Sequence, residues 1–186
     1  VMAPQLVGLN DTILRSLRDE PGYWWATYCR AWKRNAKASL LPGVVFGLLL
    51  GTEIFSLFHT DWAQNPVLIA VMFVGVFLLL GLALLTFTQI ALLEMSFAGI
   101  LRNALLLLLG YLPRAALAVL WLLLYAAAIG LFFPLSVPAV LLFNLWLPLQ
   151  AALQAVYPGL EKSFDLEKKI KAIRDASLND TDGADR

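Results

Sequence analysis

Four stretches of the chain are almost purely apolar: 40–58, 66–93, 115–133 and 139–157. Each is close to, or beyond, the ~20 residues that an α-helix needs to cross a hydrocarbon core of ~30 Å. The second is long enough to tilt or to project past the bilayer. Backbone polar groups find no partners in lipid, so all four are predicted to be helices. Prolines punctuate the connections, and Pro148, inside the fourth stretch, predicts a kink there.

Around these stretches the pattern becomes amphipathic. Trp24, Trp25, Tyr28, Cys29 and Trp32 gather on one side of a predicted helix, and Arg30, Lys33, Arg34 and Lys37 lie toward the other side or its edges. Asp19 or Glu20 can cap this helix, and Pro21 suits its first turn. Aromatic rings at headgroup depth with cations toward phosphate describe an interfacial helix. It serves either as a juxtamembrane anchor or as a docking surface for a partner protein. Near the other end, Leu166, Ile170 and Ile173 form an apolar stripe among lysines, which predicts a short amphipathic helix. Asp180, Asp182 and Asp185 then alternate with small polar residues in a segment too polar to fold alone.

These patterns divide the chain into four parts. Cytoplasmic interfacial helices are expected over 1–39, a transmembrane bundle over 40–158, a cytoplasmic amphipathic helix over 159–175 and a disordered tail over 176–186. The fold class is an all-α polytopic membrane bundle with four spans.

The stretch 94–113 admits two readings. Glu94, Arg102 and Asn103 interrupt it, yet 105–109 is wholly leucine. It is either a helix at the cytoplasmic interface, dipping shallowly, or an early start of the third span that leaves Arg114 inside the membrane. An intramembrane Arg costs at least ~2.5 kcal/mol on insertion scales, which favours the interface.

Charge then orients the bundle. Every Lys and Arg lies before the first apolar stretch, between the second and third, or after the fourth. Cytoplasmic loops carry the Lys/Arg excess, so both ends are expected in the cytoplasm. Composition agrees: 60% hydrophobic and 15% charged residues leave too little polar surface for a soluble domain. A net charge of +1 gives no ground for nucleic-acid binding. The single cysteine, Cys29, excludes an internal disulfide framework. His59 has no companion at metal-ligand spacing, and neither a metal nor a cofactor is expected.

One internal echo appears. Arg34-Asn35-Ala36 precedes the first apolar run and Arg102-Asn103-Ala104 precedes the third, each leading through a proline, Pro42 or Pro113. A repeat of span, interfacial helix and span is complete in the second half. In the first half it predicts an opening span upstream of Val1.

Candidate polar and packing residues are few. Glu53 is the one acidic residue well inside a predicted span, and it either snorkels to the outer surface or marks a substrate or proton site. Asn144, Gln150 and Gln154 are the polar residues of the fourth span; Thr86 and Gln89 belong to the second. Hydrogen bonding between helices is the first expectation for these. Gly43, Gly47 and Gly51 recur every fourth residue and permit close approach of a second helix, within the protein or from a partner. No Ser/His/Asp set or phosphate-binding glycine loop is present in the sequence, so no enzymatic activity is expected.

Arg18-Asp19-Glu20-Pro21-Gly22-Tyr23, then Trp32-Lys33-Arg34-Asn35, resembles the charged turn and aromatic-Lys-x-Asn element of the YesL-like family of bacterial membrane proteins. Arg102-Asn103-Ala104 and Leu112-Pro113-Arg114 resemble that family's second half. The resemblance runs to about Tyr157 and departs at Pro21 and Ala36, where an acidic and an aromatic residue are usual. It implies an opening span ahead of this region and a link to bacterial carbohydrate uptake. It implies no catalytic residues.

The expectation is therefore an accessory or regulatory membrane protein of an ATP-driven carbohydrate importer. Its expected partners are membrane lipid and another membrane protein, with the importer subunits as candidates. The alternative is a small transporter or channel whose path uses Glu53 and the polar face of the fourth span.

Overall fold

The computed structural model describes residues 2–18, 23–62, 64–93, 95–138 and 146–164. Among them are six helices and no strand: α1 (Met2–Leu17), α2 (Trp24–His59), α3 (Pro66–Leu92), α4 (Phe97–Gly110), α5 (Leu112–Leu131) and α6 (Trp146–Phe164). Three of these, α2, α3 and α5, are long and apolar enough to cross a membrane. The chain is thus an all-helical protein of membrane type.

The aromatic segment and the first apolar run form one unbroken helix. α2 has 36 residues, about 54 Å at 1.5 Å each, so it outruns a ~30 Å hydrocarbon core. Pro42 lies inside it without ending it. One turn earlier, the Ser39 hydroxyl donates to the Asn35 carbonyl (2.8 Å) and the Asn35 amide to the Ala31 carbonyl (3.1 Å). Back-bonding of this kind, followed by a proline that offers no N–H, bends helices. Gly8 of α1 packs on the Tyr28 backbone while Ala3 seats on Gly43. Those contacts lie fifteen residues apart on α2, ~22 Å if straight, but five residues apart on α1, ~8 Å. α2 therefore curves over α1, which runs antiparallel to it.

α2 and α3 make a hairpin. The Thr60 N–H bonds the Ser56 carbonyl (3.0 Å) at the end of α2, and Pro66 opens α3 with φ already helical. Trp62 closes the tip: its indole N–H donates to the Leu57 carbonyl (3.0 Å) and its ring meets Phe73 edge-on.

The stretch 94–113 does not form one flat helix. Ser96 caps α4 by accepting from the Gly99 N–H at 3.4 Å, and Tyr111 separates α4 from α5. A Cβ on Gly81 would lie 2.9 Å from a Leu108 methyl and 3.5 Å from Val119. Gly81 is eleven residues, ~16 Å, back from the end of α3. α4 therefore climbs back beside α3, and α5 begins level with that part of the bundle.

Two apolar clusters fill the bundle. One joins Ile13 and Leu14 of α1 to Leu84 and Leu85 of α3, Leu107 and Leu108 of α4 and Leu153 of α6. The other joins Val7, Phe46, Phe87 and Ile100. α1, within the region 1–39, contributes to the core: Val7, Ile13 and Leu14 have at most 1% exposure. Its length and mixed polarity hide this in the sequence, because Asn10, Asp11 and Thr12 are buried along with the apolar residues.

Four spans are not seen among the described residues. α6 covers only part of 139–157, and 139–145, with Asn144, lies outside them. Pro148 is the third described residue of α6. The proline in the helix interior is Pro158. The expected amphipathic helix beyond Phe164 and the tail 176–186 also lie outside the described residues.

Candidate functional site

The polar groups collect where α1, α2 and α3 meet. Asp11 is buried, with 5% side-chain exposure, and accepts a hydrogen bond from Arg15 Nε at 3.0 Å. Arg34 Nη2 of α2 stands 3.8 Å from the same carboxylate. It also donates to the Ala91 carbonyl (3.4 Å). Ala91 is one of the last carbonyls of α3, which have no helical partner of their own. A cation there also meets the negative end of the helix dipole. One side chain thus ties three helices, although its 48% exposure keeps the electrostatic worth of the pair small.

A second polar layer lies deeper. The Asn10 amide makes a long bond (3.5 Å) to the Thr88 hydroxyl, which donates to the Leu84 carbonyl at 2.6 Å. Thr86 and Gln89 are fully buried, yet the Thr86 hydroxyl and both ends of the Gln89 amide meet no described partner; Asn10 Oδ1 shares that condition. The expected bonding of Thr86 and Gln89 to a neighbouring helix is not formed among the described residues. Buried polar atoms without partners are rare and each calls for a reason.

Glu53 is half-buried against α3. Its carboxylate would lie 3.0 Å from a Cβ on Gly75, so the glycine supplies the notch that receives it. Among the described residues it has no hydrogen bond or ion pair. Ser56 and Thr60 follow it along the same side of α2, and the Thr60 hydroxyl reaches Met72 of α3 (4.0 Å to sulfur). Gln150 is half-buried and Gln154 exposed on α6, which packs on α5 and α1. The structure does not bring them together with Glu53, which sits on the α2–α3 pair.

The predicted packing residues divide as well. Gly43 is used internally, beneath Ala3, whereas nothing lies within 4 Å of a Cβ on Gly47 or Gly51. Trp25 is exposed and stacks on Tyr28 (5.7 Å between centroids), and Trp24 meets Trp25 edge-on. Tyr28 itself packs on Gly8 and belongs to the α1–α2 contact. Trp32 is exposed at the margin of the same face.

The family-like residues are dispersed. Arg18 closes α1, Tyr23 precedes α2 fully exposed, Lys33 is exposed, and Asn35 is buried in the bend of α2. Arg102 is exposed on α4, and Asn103 reaches Met95 sulfur at 3.8 Å. Pro113 and Arg114 are exposed in the first turn of α5. Asp19, Glu20 and Gly22 lie outside the described residues. Sequence reasoning missed Asn10, Asp11 and Thr88; the only signal was an uninterrupted Asn-Asp-Thr run in a helix of amphipathic character.

No group of three or more potential metal ligands occurs among the described residues. The fold and these sites define an all-helical protein with three helices fit to cross a membrane and a polar junction at one end of the bundle. No family model, curated protein or solved structure matches the chain.

Proposed function

We propose that this protein is an accessory or regulatory component of an ATP-driven carbohydrate importer in the bacterial cell membrane, acting by helix packing against a partner membrane protein. The supporting observation is the unpartnered apolar surface of α2, α5 and the first half of α3. Leu48, Phe55, Val67, Val71, Leu117 and Leu124 are all exposed, and Gly47 and Gly51 leave the α2 backbone open to close approach. The sugar link rests on the resemblance of the Arg18–Tyr23 and Trp32–Asn35 elements to the YesL-like family.

In this reading both ends face the cytoplasm, because no Lys or Arg occurs between 38 and 101 or between 115 and 161. The fourth span of this reading is the apolar run 139–157, whose later part falls in α6. The repeat pairs α4 and α5 with the two parts of α2, before and after Pro42, and Asn35 and Asn103 occupy matching places. The transporter reading is favoured by one observation, the unpartnered Glu53 carboxylate on Gly75.

Copurification and uptake separate the two. Gly47→Leu is expected to abolish recovery of the partner importer while the protein itself still folds. Glu53→Gln is expected to leave both recovery and sugar uptake near normal. Loss of uptake in Glu53→Gln with the assembly intact would reverse the conclusion in favour of transport.

A further inference from the structure

We propose that the first third of α2 carries a binding site for anionic phospholipid headgroups, formed by Arg30, Lys33, Arg34 and Lys37. These residues stand at i, i+3, i+4 and i+7, so at about 100° per residue they occupy an arc of about 100°. All four are exposed. The buried residues of this segment, Ala31, Asn35 and Ser39, lie on the opposite side of the helix. Arg30, Lys33 and Lys37 therefore point away from the bundle, while Arg34, at the edge of the arc, reaches back to it.

The next turns of the same helix identify the ligand. Within one turn of Lys37 the outward surface becomes apolar: Leu40, Leu41, Val44 and Leu48 are exposed, and no charge returns before Glu53. A continuous helix that changes from cationic to apolar at one level marks the edge of the hydrocarbon. The headgroup layer extends ~5–8 Å beyond that edge. Lys37 stands ~4–5 Å above Leu40, Arg34 and Lys33 ~9–11 Å, and Arg30 ~15 Å. Lys37 thus falls within that layer and Lys33 at its outer margin, whereas Arg30 meets it only with its side chain extended back along the helix, against the N-terminal tilt of its Cα–Cβ bond. An acidic protein surface would fit the cations, but it would not account for their register against the apolar edge.

Arg34 differs from the others. Its bond to Ala91 and its approach to Asp11 fix it against the bundle. Arg30, Lys33 and Lys37 bind no described residue and are free to meet phosphate. The ligand is a phosphodiester with net negative charge, such as phosphatidylglycerol, rather than a zwitterionic lipid. The proposal rests on α2 being a membrane helix and is independent of the importer.

The test is lipid selection by the full chain. Protein is reconstituted in vesicles with equal phosphatidylglycerol and phosphatidylcholine, extracted gently, and its retained lipid ratio is measured. The wild type should enrich phosphatidylglycerol about fivefold or more at low salt, since one cation near the surface accounts for roughly that factor. The triple variant Arg30→Gln/Lys33→Gln/Lys37→Gln, which leaves Arg34 in place, should fall to near unity with unchanged helix content. A charge-matched control, Arg102→Gln/Arg114→Gln/Lys162→Gln, should keep most of the enrichment. Inorganic phosphate at millimolar level should not displace the lipid. Equal loss in both triple variants would overturn the proposal, as would an unselective wild type. Loss of a copurifying acidic protein in the first triple, without a change in lipid ratio, would assign the stripe to that partner instead. Release of the wild type by alkaline carbonate would overturn the membrane reading itself, an outcome distinct from retention without lipid selection.

Discussion

The two halves of α3 are both mainly apolar and live in opposite surroundings. In 66–80, Val67, Leu68, Val71, Phe73 and Val74 are exposed and only Ile69 and Val76 are buried. In 81–91 every residue but Leu82 is buried, including Thr86, Thr88 and Gln89. The first half pairs with α2; the second is surrounded by α1, α2, α4 and α5, with α6 in the same core cluster. Apolarity therefore does not decide which half is the core. In lipid an exposed leucine costs nothing, and helices associate by fit rather than by escape from water. Fit is what differs: Gly81 admits Leu108 and Val119, whereas Gly75 admits a single carboxylate.

The largest effect that would break this comparison lies where α1 is seated. Ala3 occupies the space above Gly43, so Gly43→Leu must drive α1 off α2 or force the backbones apart. Overpacking at such a site costs ~3 kcal/mol or more. The thermal midpoint in detergent should drop sharply, with protease sensitivity appearing within α1. An unchanged midpoint would mean that α1 is not part of the core.

Next in size is a direct contrast between the halves. Leu84→Ala, at 6% exposure, removes packing from the surrounded half and should cost ~2–3 kcal/mol. Val71→Ala, at 61% exposure, should change stability by no more than ~0.5 kcal/mol. Steric trapping or denaturant titration in micelles measures both. Equal costs would show that the 66–80 half is covered in solution, which points to self-association through the hairpin.

A smaller effect of opposite sign concerns Gln89. Its amide is buried with no described partner, and such a group costs ~1–3 kcal/mol when desolvated. Gln89→Leu keeps the volume and removes the penalty, so stability should rise by ~1 kcal/mol. A loss instead would show that the amide binds something, most simply an ordered water.

Much of this was legible in the chain. The long apolar runs identified α2, α3 and α5, because about twenty apolar residues have few alternatives to a spanning helix. The surroundings of those helices were only partly legible: Thr86 and Gln89 marked the second half of α3 as the side that meets other helices, but the burial of its apolar residues depends on which small residues face which neighbours. α1 escaped for a related reason: Asn10 and Asp11 look like surface residues until Thr88 and Arg34 arrive from helices distant in sequence. The aromatic segment and the first apolar run read as separate elements meeting at 39/40, whereas they form one helix that continues through Pro42. Of the candidate residues, the glycine stripe was found as a unit, but its division into one internal and two open positions needed the position of Ala3.

That division gives the smallest expected effect. Gly47 and Gly51 lie on the same side of α2 as Gly43, four and eight residues further on, and a Cβ at either meets nothing within 4 Å. Gly51→Ala should therefore leave the isolated protein within ~0.5 kcal/mol of the wild type, or raise its stability slightly through helix propensity. Gly47→Leu should behave likewise, because its side chain enters open space. Thermal midpoints of the purified variants in detergent provide the measurement, with Gly43→Leu as the destabilised reference. The near-zero result makes the partner experiment interpretable: a variant that folds as well as the wild type and still loses its partner has lost a surface, not a fold. A drop comparable to that of Gly43→Leu would place another part of this chain against Gly47 and remove the face on which the packing function depends.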